Sequence, residues 1–291
     1  MRILFIGDIM GKPGRWVLSQ LLKNVRRKHE IDFTIANIEN AAGGFGLTEP
    51  ISRKIKSYGV DFQTSGNHIW DRQDIFPFMD DPENRVIRPA NYPSGTPGYG
   101  SMIHTLPDGR RIGIVNLEGR VYGRNIDCPF RTMDGELSLV QERTNIIVVD
   151  MHAETTSEKM AMGHYLDGRI SLLVGTHTHV QTADEKIFPK GTAYITDVGM
   201  TGPHDGVIGM RFRSVIPRFL QGIPHRFAVA EGDVRLCAVI ADIDDDSGKA
   251  TSIERLQIAF DGKMPEEYQL PQEGMEDDEG FSMEDDNGDD T

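Results

Sequence analysis

The chain is 291 residues long, 38% apolar and 26% charged, with a formal net charge of −14. That length is ample for a buried core and fits one large α/β domain or two small ones; the composition is globular and slightly polar. Ten acids and no Lys or Arg fall within 272–291, so the remainder carries 35 acids against 31 bases, a net −4, which excludes a protein that coats nucleic acid by charge or holds a stable duplex.

Residues 2–7 are a short apolar run ending in Gly-Asp and predict a buried strand. Residues 13–28 have helical spacing at Val17, Leu18, Leu21, Leu22 and Val25, with Pro13 suited to the first turn. A second strand is expected over 33–38, a loop at Gly43-Gly44-Phe45-Gly46, a helix over 48–58 and a third strand over 60–64. This alternation predicts right-handed βαβ units and a largely parallel sheet. Residues 84–100 are rich in Pro and Gly, and the segment 85–135 is expected as a small cap. Strands over 101–105 and 111–117 flank Pro107-Asp108-Gly109 as a hairpin. Further strands are expected over 146–151, 170–175, 193–198, 227–230, 236–243 and 253–260, with a helix over 156–166 and a hairpin turn at 244–248. The fold class is therefore α/β, with two packed sheets, the second the more antiparallel. The folded domain is placed at 1–270, and 271–291 reads as an acidic disordered tail.

Cys128 and Cys237 form no CxxC pair, which argues against a disulfide scaffold. No apolar run approaches the ~20 residues of a membrane span, and the N-terminal residues lack a signal-peptide pattern, so a cytoplasmic protein is expected.

The residues that follow the apolar runs carry the chemistry, because ligands of open α/β sheets bind beyond the carboxyl ends of strands. Asp8 follows the first run, Glu39-Asn40 the second, Asn67-His68 the third, His152 the run at 146–151, and His177 and His179 the run at 170–175. His-x-His in an extended segment would place both rings on one face. Carboxylate, amide and imidazole together suit Mn, Fe or Zn better than Ca or Mg alone. Seven such groups exceed one tetrahedral site, and Glu39 could bridge two ions about 3.5–4 Å apart. Glu154 and Asp197 are candidate supports for the imidazoles, Asp71 a helix cap, and His204 a candidate substrate contact.

These motifs resemble the calcineurin-like metallophosphoesterases and, more closely, the YmdB-type bacterial metallophosphoesterases. The segments FIGDIMGKPGR, NIENAAGGFGLT, TSGNHIWD, VVDMHAETTSEK, GTHTHVQTADE and ITDVGMTGP carry the resemblance over about 1–265. It implies a sandwich of two mixed β-sheets flanked by helices. It implies two ions, iron or manganese, one on Asp8, Glu39, Asn40 and His179 and one on Glu39, Asn67, His152 and His177, with His68 as general acid. It implies hydrolysis of cyclic nucleotides, 2′,3′-cyclic forms such as 2′,3′-cAMP in particular, by a metal-bridging hydroxide, and a homo-oligomer. A phosphomonoesterase or RNA-end phosphatase of the same chemistry, or a metal-bound nucleotide sensor, are the alternatives. The wider superfamily has Asp-x-His where this chain has Asp8 and Met10, and an Asp after Gly where this chain has Glu39 after Ile38.

Overall fold

A computed structural model describes residues 1–262. The chain opens with β1 (Arg2–Ile6), β2 (Asp8–Ile9), α1 (Gly11–Lys28), β3 (Phe33–Asn37), α2 (Glu49–Ser57) and β4 (Phe62–Thr64). A 3₁₀ turn (Asn67–Asp71) and the one-turn α3 (Phe76–Met79) lead to β5 (Ser101–Thr105), β6 (Arg111–Glu118), α4 (Pro129–Gln141), β7 (Ile147–His152), α5 (Thr156–Leu166) and β8 (Leu172–Thr176). The remaining elements are β9 (Lys186–Ile187), β10 (Ala193–Ile195), β11 (Met200–Pro203), α6 (Phe212–Gln221), β12 (Val234–Ile243) and β13 (Ala250–Ala259).

The first sheet runs β2-β11-β12-β1-β3-β4, with β13 on the other edge of β12. β1, β3 and β4 are parallel, while β12 is antiparallel to β1, β11 and β13. The second sheet runs β5-β6-β7-β8-β10-β9, parallel from β6 to β10 and antiparallel only at its ends. Both sheets are mixed, as expected, but the second is not the more antiparallel one. Its central strands are joined through α4 and α5, and a helical crossover returns the chain in the same direction.

Strand alternation sorts the core into layers. Ile3 and Phe5 of β1 face the second sheet and meet Ile112, Ile114, Val148 and Leu172, whereas Leu4 and Ile6 face Val17, Leu18 and Leu22 of α1. On the far side, Val149 and Leu173 pack on Leu137 of α4 and Met162 of α5. The result is a helix–sheet–sheet–helix sandwich.

Several expectations shift. Residues 101–118 of the expected cap are built into the second sheet as β5 and β6, and α4 starts at Pro129. Residues 227–230 form no strand; Val229 makes one bridge to Met210 and fills a small apolar cluster with Met10, Met200 and Val215. The helices α4 and α6 are additions that the sequence pattern does not predict. Both hairpins form where predicted, between β5 and β6 and between β12 and β13. Cys128 and Cys237 are free thiols. Among the described residues, no helix is long and apolar enough to cross a membrane. The acidic tail lies outside the described residues.

Candidate metal centre

The predicted residues meet where the carboxyl ends of parallel strands from both sheets converge. Asp8 follows β1, Glu39 and Asn40 follow β3, Asn67 opens the 3₁₀ turn after β4, His152 ends β7, and His177 and His179 follow β8. Asp8, Glu39, Asn40 and His152 are almost fully buried, although each is polar or ionisable. Burying such groups is costly unless they are paired or hold a cation.

His152 is the centre of the group. Its Nε2 lies 3.0 Å from Asn67 Oδ1, 3.0 Å from His177 Nδ1 and 3.2 Å from Glu39 Oε2. Glu39, His152 and His177 each bring a donor atom within 4.8 Å of the other two, the spread of a shared ion. Glu39 divides its carboxylate: Oε2 faces His152 and accepts the backbone N–H of His68 at 2.9 Å, while Oε1 accepts from Asn40 Nδ2 at 3.0 Å. Asn40 Nδ2 is also 3.2 Å from His179 Nε2, because His179 spends Nδ1 on the Ile208 carbonyl at 2.9 Å. Asp8 Oδ2 accepts the His177 N–H at 3.2 Å, while its buried Oδ1 has no hydrogen-bond partner. An unsatisfied buried carboxylate oxygen beside a convergence of imidazole nitrogens and acceptor oxygens is the donor set a cation needs, so the residues fit a metal.

The electrostatics agree. Burial opposes a charge on His152, but Glu39, through charge and hydrogen bond, and Asp8 push its pKa up to about 9. Burial and then repulsion from His152 push His177 down to about 3. Burial alone would raise Glu39, yet the charge of His152 and hydrogen bonds from His152 and His68 hold it far below the usual carboxylate range. Burial raises Asp8. Without an ion, one proton on His152 supplies the positive charge that the carboxylates require.

A support chain fixes the ring of His152. Thr176 Oγ1 donates to Asp150 Oδ1 at 2.7 Å, so its oxygen accepts from His152 Nδ1 at 2.9 Å and Nε2 is left to face the site. Asp150 Oδ2 is held in turn by Asn37 Nδ2 at 3.0 Å and Thr64 Oγ1 at 2.6 Å. Sequence reasoning missed Asp150, Thr176, Asn37 and Lys159. A carboxylate inside the apolar run 146–151 was the available signal for Asp150, since a buried acid implies a partner.

The His177-Thr178-His179 segment is not extended. His177 and His179 have φ of 98° and 66°, in the left-handed region that non-glycine residues rarely adopt. Strand alternation therefore does not place the two rings; a strained turn does. Asp197 anchors it by accepting from the N–H and hydroxyl of Thr178, at 3.1 and 2.7 Å. Asp197 thus supports the turn rather than an imidazole. Glu154 does touch one, with Oε2 3.2 Å from His177 Nε2.

His68 lies beside the group, half-buried, with Nδ1 2.7 Å from Asp71 Oδ2 and its ring edge-to-face with Phe45 at 5.0 Å. Asp71 closes the 3₁₀ turn and orients His68 instead of capping a helix. His204 turns Nε2 to the Met200 carbonyl at 3.1 Å and is absent from the cleft walls. Gly66 passes so close to the site that a Cβ there would strike the His152 ring and Glu39 Oε2.

Two clefts open on this group. One, of about 420 Å³, is lined by Asn67, His152, Glu118 and Arg124. The other, of about 570 Å³, is lined by Glu39, Asn40, His68 and His179 and continues under α6.

The chain is 51% identical over 261 residues to a 2′,3′-cyclic-nucleotide 2′-phosphodiesterase of Bacillus subtilis, covering 90% of this chain and 98% of that one. It superposes on the crystal structure of a hypothetical protein from Thermus thermophilus with a TM-score of 0.83, at 40% identity, over 89% and 99% of the two chains. A phosphatase structure from Mycoplasma pneumoniae gives 0.82 at 33% identity, over 89% and 93%. Residues 4–256 match the family described as YmdB-like protein, and the chain belongs to that family.

Proposed function

We propose that this protein is a metal-dependent phosphodiesterase that hydrolyses 2′,3′-cyclic nucleotides, with one ion held by Asp8, Glu39, Asn40 and His179 and a second by Glu39, Asn67, His152 and His177. The observation that carries this reading is the convergence of Glu39, Asn67 and His177 on His152 Nε2 within 3.2 Å, beside the unpartnered oxygen of Asp8. The likeness to the Bacillus subtilis enzyme supports the substrate class. Iron or manganese suits this mixture of oxygen and imidazole donors.

Two bound ions supply positive charge for the anionic diester and lower the pKa of a site water towards about 7. The chain's own residues do the rest. Glu39 directs one oxygen to each half of the ligand set, and Thr176 and Asp150 keep His152 Nε2 aimed inward. His68 turns Nδ1 to Asp71, which orients its ring for Nε2 to pass a proton to the leaving alkoxide. General-acid help of that kind contributes about 10²–10⁴-fold.

Purified protein loaded with Mn or Fe is expected to cleave 2′,3′-cAMP, and Asp8→Ala and His152→Ala are each expected to abolish turnover. The reading fails if neither ion supports turnover or if turnover survives both substitutions. The likeness to a Mycoplasma pneumoniae phosphatase makes monoester hydrolysis the second reading. Rates on a nitrophenyl diester and the matching monoester separate the two.

A further inference from the structure

The proposed reaction places the nucleoside. In a 2′,3′-cyclic phosphate both ester oxygens belong to one ribose, so the sugar and its base stay on the side of the leaving oxygen. The proton donor must reach that oxygen. His68 lines the 570 Å³ cleft under α6 and is absent from the walls of the 420 Å³ cleft. The base therefore points into the larger cleft.

That cleft has the chemistry of a stacking site. Beyond the ligand residues its wall is formed by Phe45, Ile208, Met210, Phe219 and Phe227, with Arg218 as the cation. Phe45 already holds an edge-to-face contact with His68, which joins the apolar wall to the proton donor. Phe219 is 80% exposed, a large ring left at the mouth of the cleft with little to pack on. The Arg218 guanidinium lies 5.4 Å above the Phe227 ring. A volume of 570 Å³ is in the usual range for small-molecule sites, about 300–1,000 Å³.

Resting on the phosphodiesterase reading, we infer that the apolar cleft between Phe45 and α6 is the nucleobase subsite, with Phe219 as its outer stacking platform. Recognition there is by ring area. Beyond the proposed ligands and His68, the polar side chains of this wall are Arg218, Glu154 and Thr178. Glu154 faces His177 and Thr178 gives its hydroxyl to Asp197, so Arg218 is the main side chain left for a base edge, adenine and guanine are discriminated weakly, and purines are favoured over pyrimidines. The 420 Å³ cleft, which carries Tyr122 and Arg124 and lacks His68, does not take the base.

The test compares kcat/KM for 2′,3′-cAMP with that for the 2′,3′-cyclic phosphate of ribose lacking a base. Loss of one stacking ring corresponds to about 5- to 150-fold. Phe219→Ala is expected to lower the nucleotide-to-ribose ratio by about tenfold, mainly through KM, and Phe219→Trp to restore it. Tyr122→Ala, in the other cleft, should leave the ratio in place. Phe219 is exposed, so its truncation should not unfold the protein. An unchanged ratio in Phe219→Ala, or a ratio that falls in Tyr122→Ala instead, overturns the subsite while leaving the phosphodiesterase reading intact. A wild-type protein that cleaves no cyclic nucleotide with Mn or Fe overturns both.

Discussion

Lys159 Nζ lies 2.8 Å from Asp197 Oδ2, and the two side chains are 1% and 0% exposed. The same Asp197 oxygen holds Thr178 between His177 and His179. The pair therefore ties α5 to the turn that carries two proposed ligands. Removing one member of a buried ion pair strands the other, at a cost of about 3–5 kcal/mol. Lys159→Met is expected to lose stability of that size in urea unfolding. Adding Asp197→Asn should recover part of it, because no lone charge then remains buried.

Thr176 acts through His152. Thr176→Val keeps the shape but removes the oxygen that accepts His152 Nδ1–H. Losing such a support typically costs about 10–100-fold in metal affinity. Manganese titration should show that loss, with Thr176→Ser close to wild type.

Metal binding should release a proton. In the metal-free protein His152 titrates near 9, so at neutral pH its ring carries two protons, and ligation must displace one. Affinity should therefore rise with pH, by up to about tenfold per unit from this group, and level off above about 9. His177, pushed down to about 3, is already neutral and adds no slope in that range. The raised His152 pKa also stabilises the metal-free fold; that contribution is complete below about 6.5 and is lost as pH climbs through about 9. Calorimetry in buffers of different ionisation enthalpy counts the released proton.

Gly66 has an extended backbone that alanine can adopt, so Gly66→Ala tests space alone. Its Cβ would press on the His152 ring and Glu39 Oε2. Displacing reacting groups by about 1 Å can cost about 10²-fold. Turnover should fall at least that far while far-UV circular dichroism remains native.

His68→Gln separates proton donation from binding. An alkoxide needs a proton to leave, whereas nitrophenolate does not. The variant should lose about 10²–10⁴-fold in kcat on 2′,3′-cAMP and far less on a nitrophenyl diester. Equal losses on both substrates would argue for a structural role of the His68–Asp71 pair.

The strands β1, β3, β4, β7 and β8 were legible because each is an apolar run, and the ligand types were legible because each of these runs leads into one of them; the short β2, β9 and β11 were not legible. Asp8, Glu39, Asn67, His152 and His177 could thus be placed on one rim from order alone. α6 was not legible: Pro217 lies inside it, and Phe219 and Leu220 face outward, which blurs the helical pattern. The run at 227–230 looked like a strand but has no partner beyond one bridge.

The sequence by itself determined most of the strands, both hairpins and the inventory of metal-ligating side chains, because these follow from local periodicity and from what ends the apolar runs, while the two mixed sheets were implied by the family resemblance. Only the tertiary structure decided how the groups meet. Thr176 lies 24 residues from His152, and Asp150 is 113 residues from Asn37. His177 and His179 reach the site through left-handed backbone that alternation would not predict. The wall beside His68 exists only because α6 folds over the cleft. Such contacts depend on which strands become neighbours, and one strand's pattern does not record its neighbours.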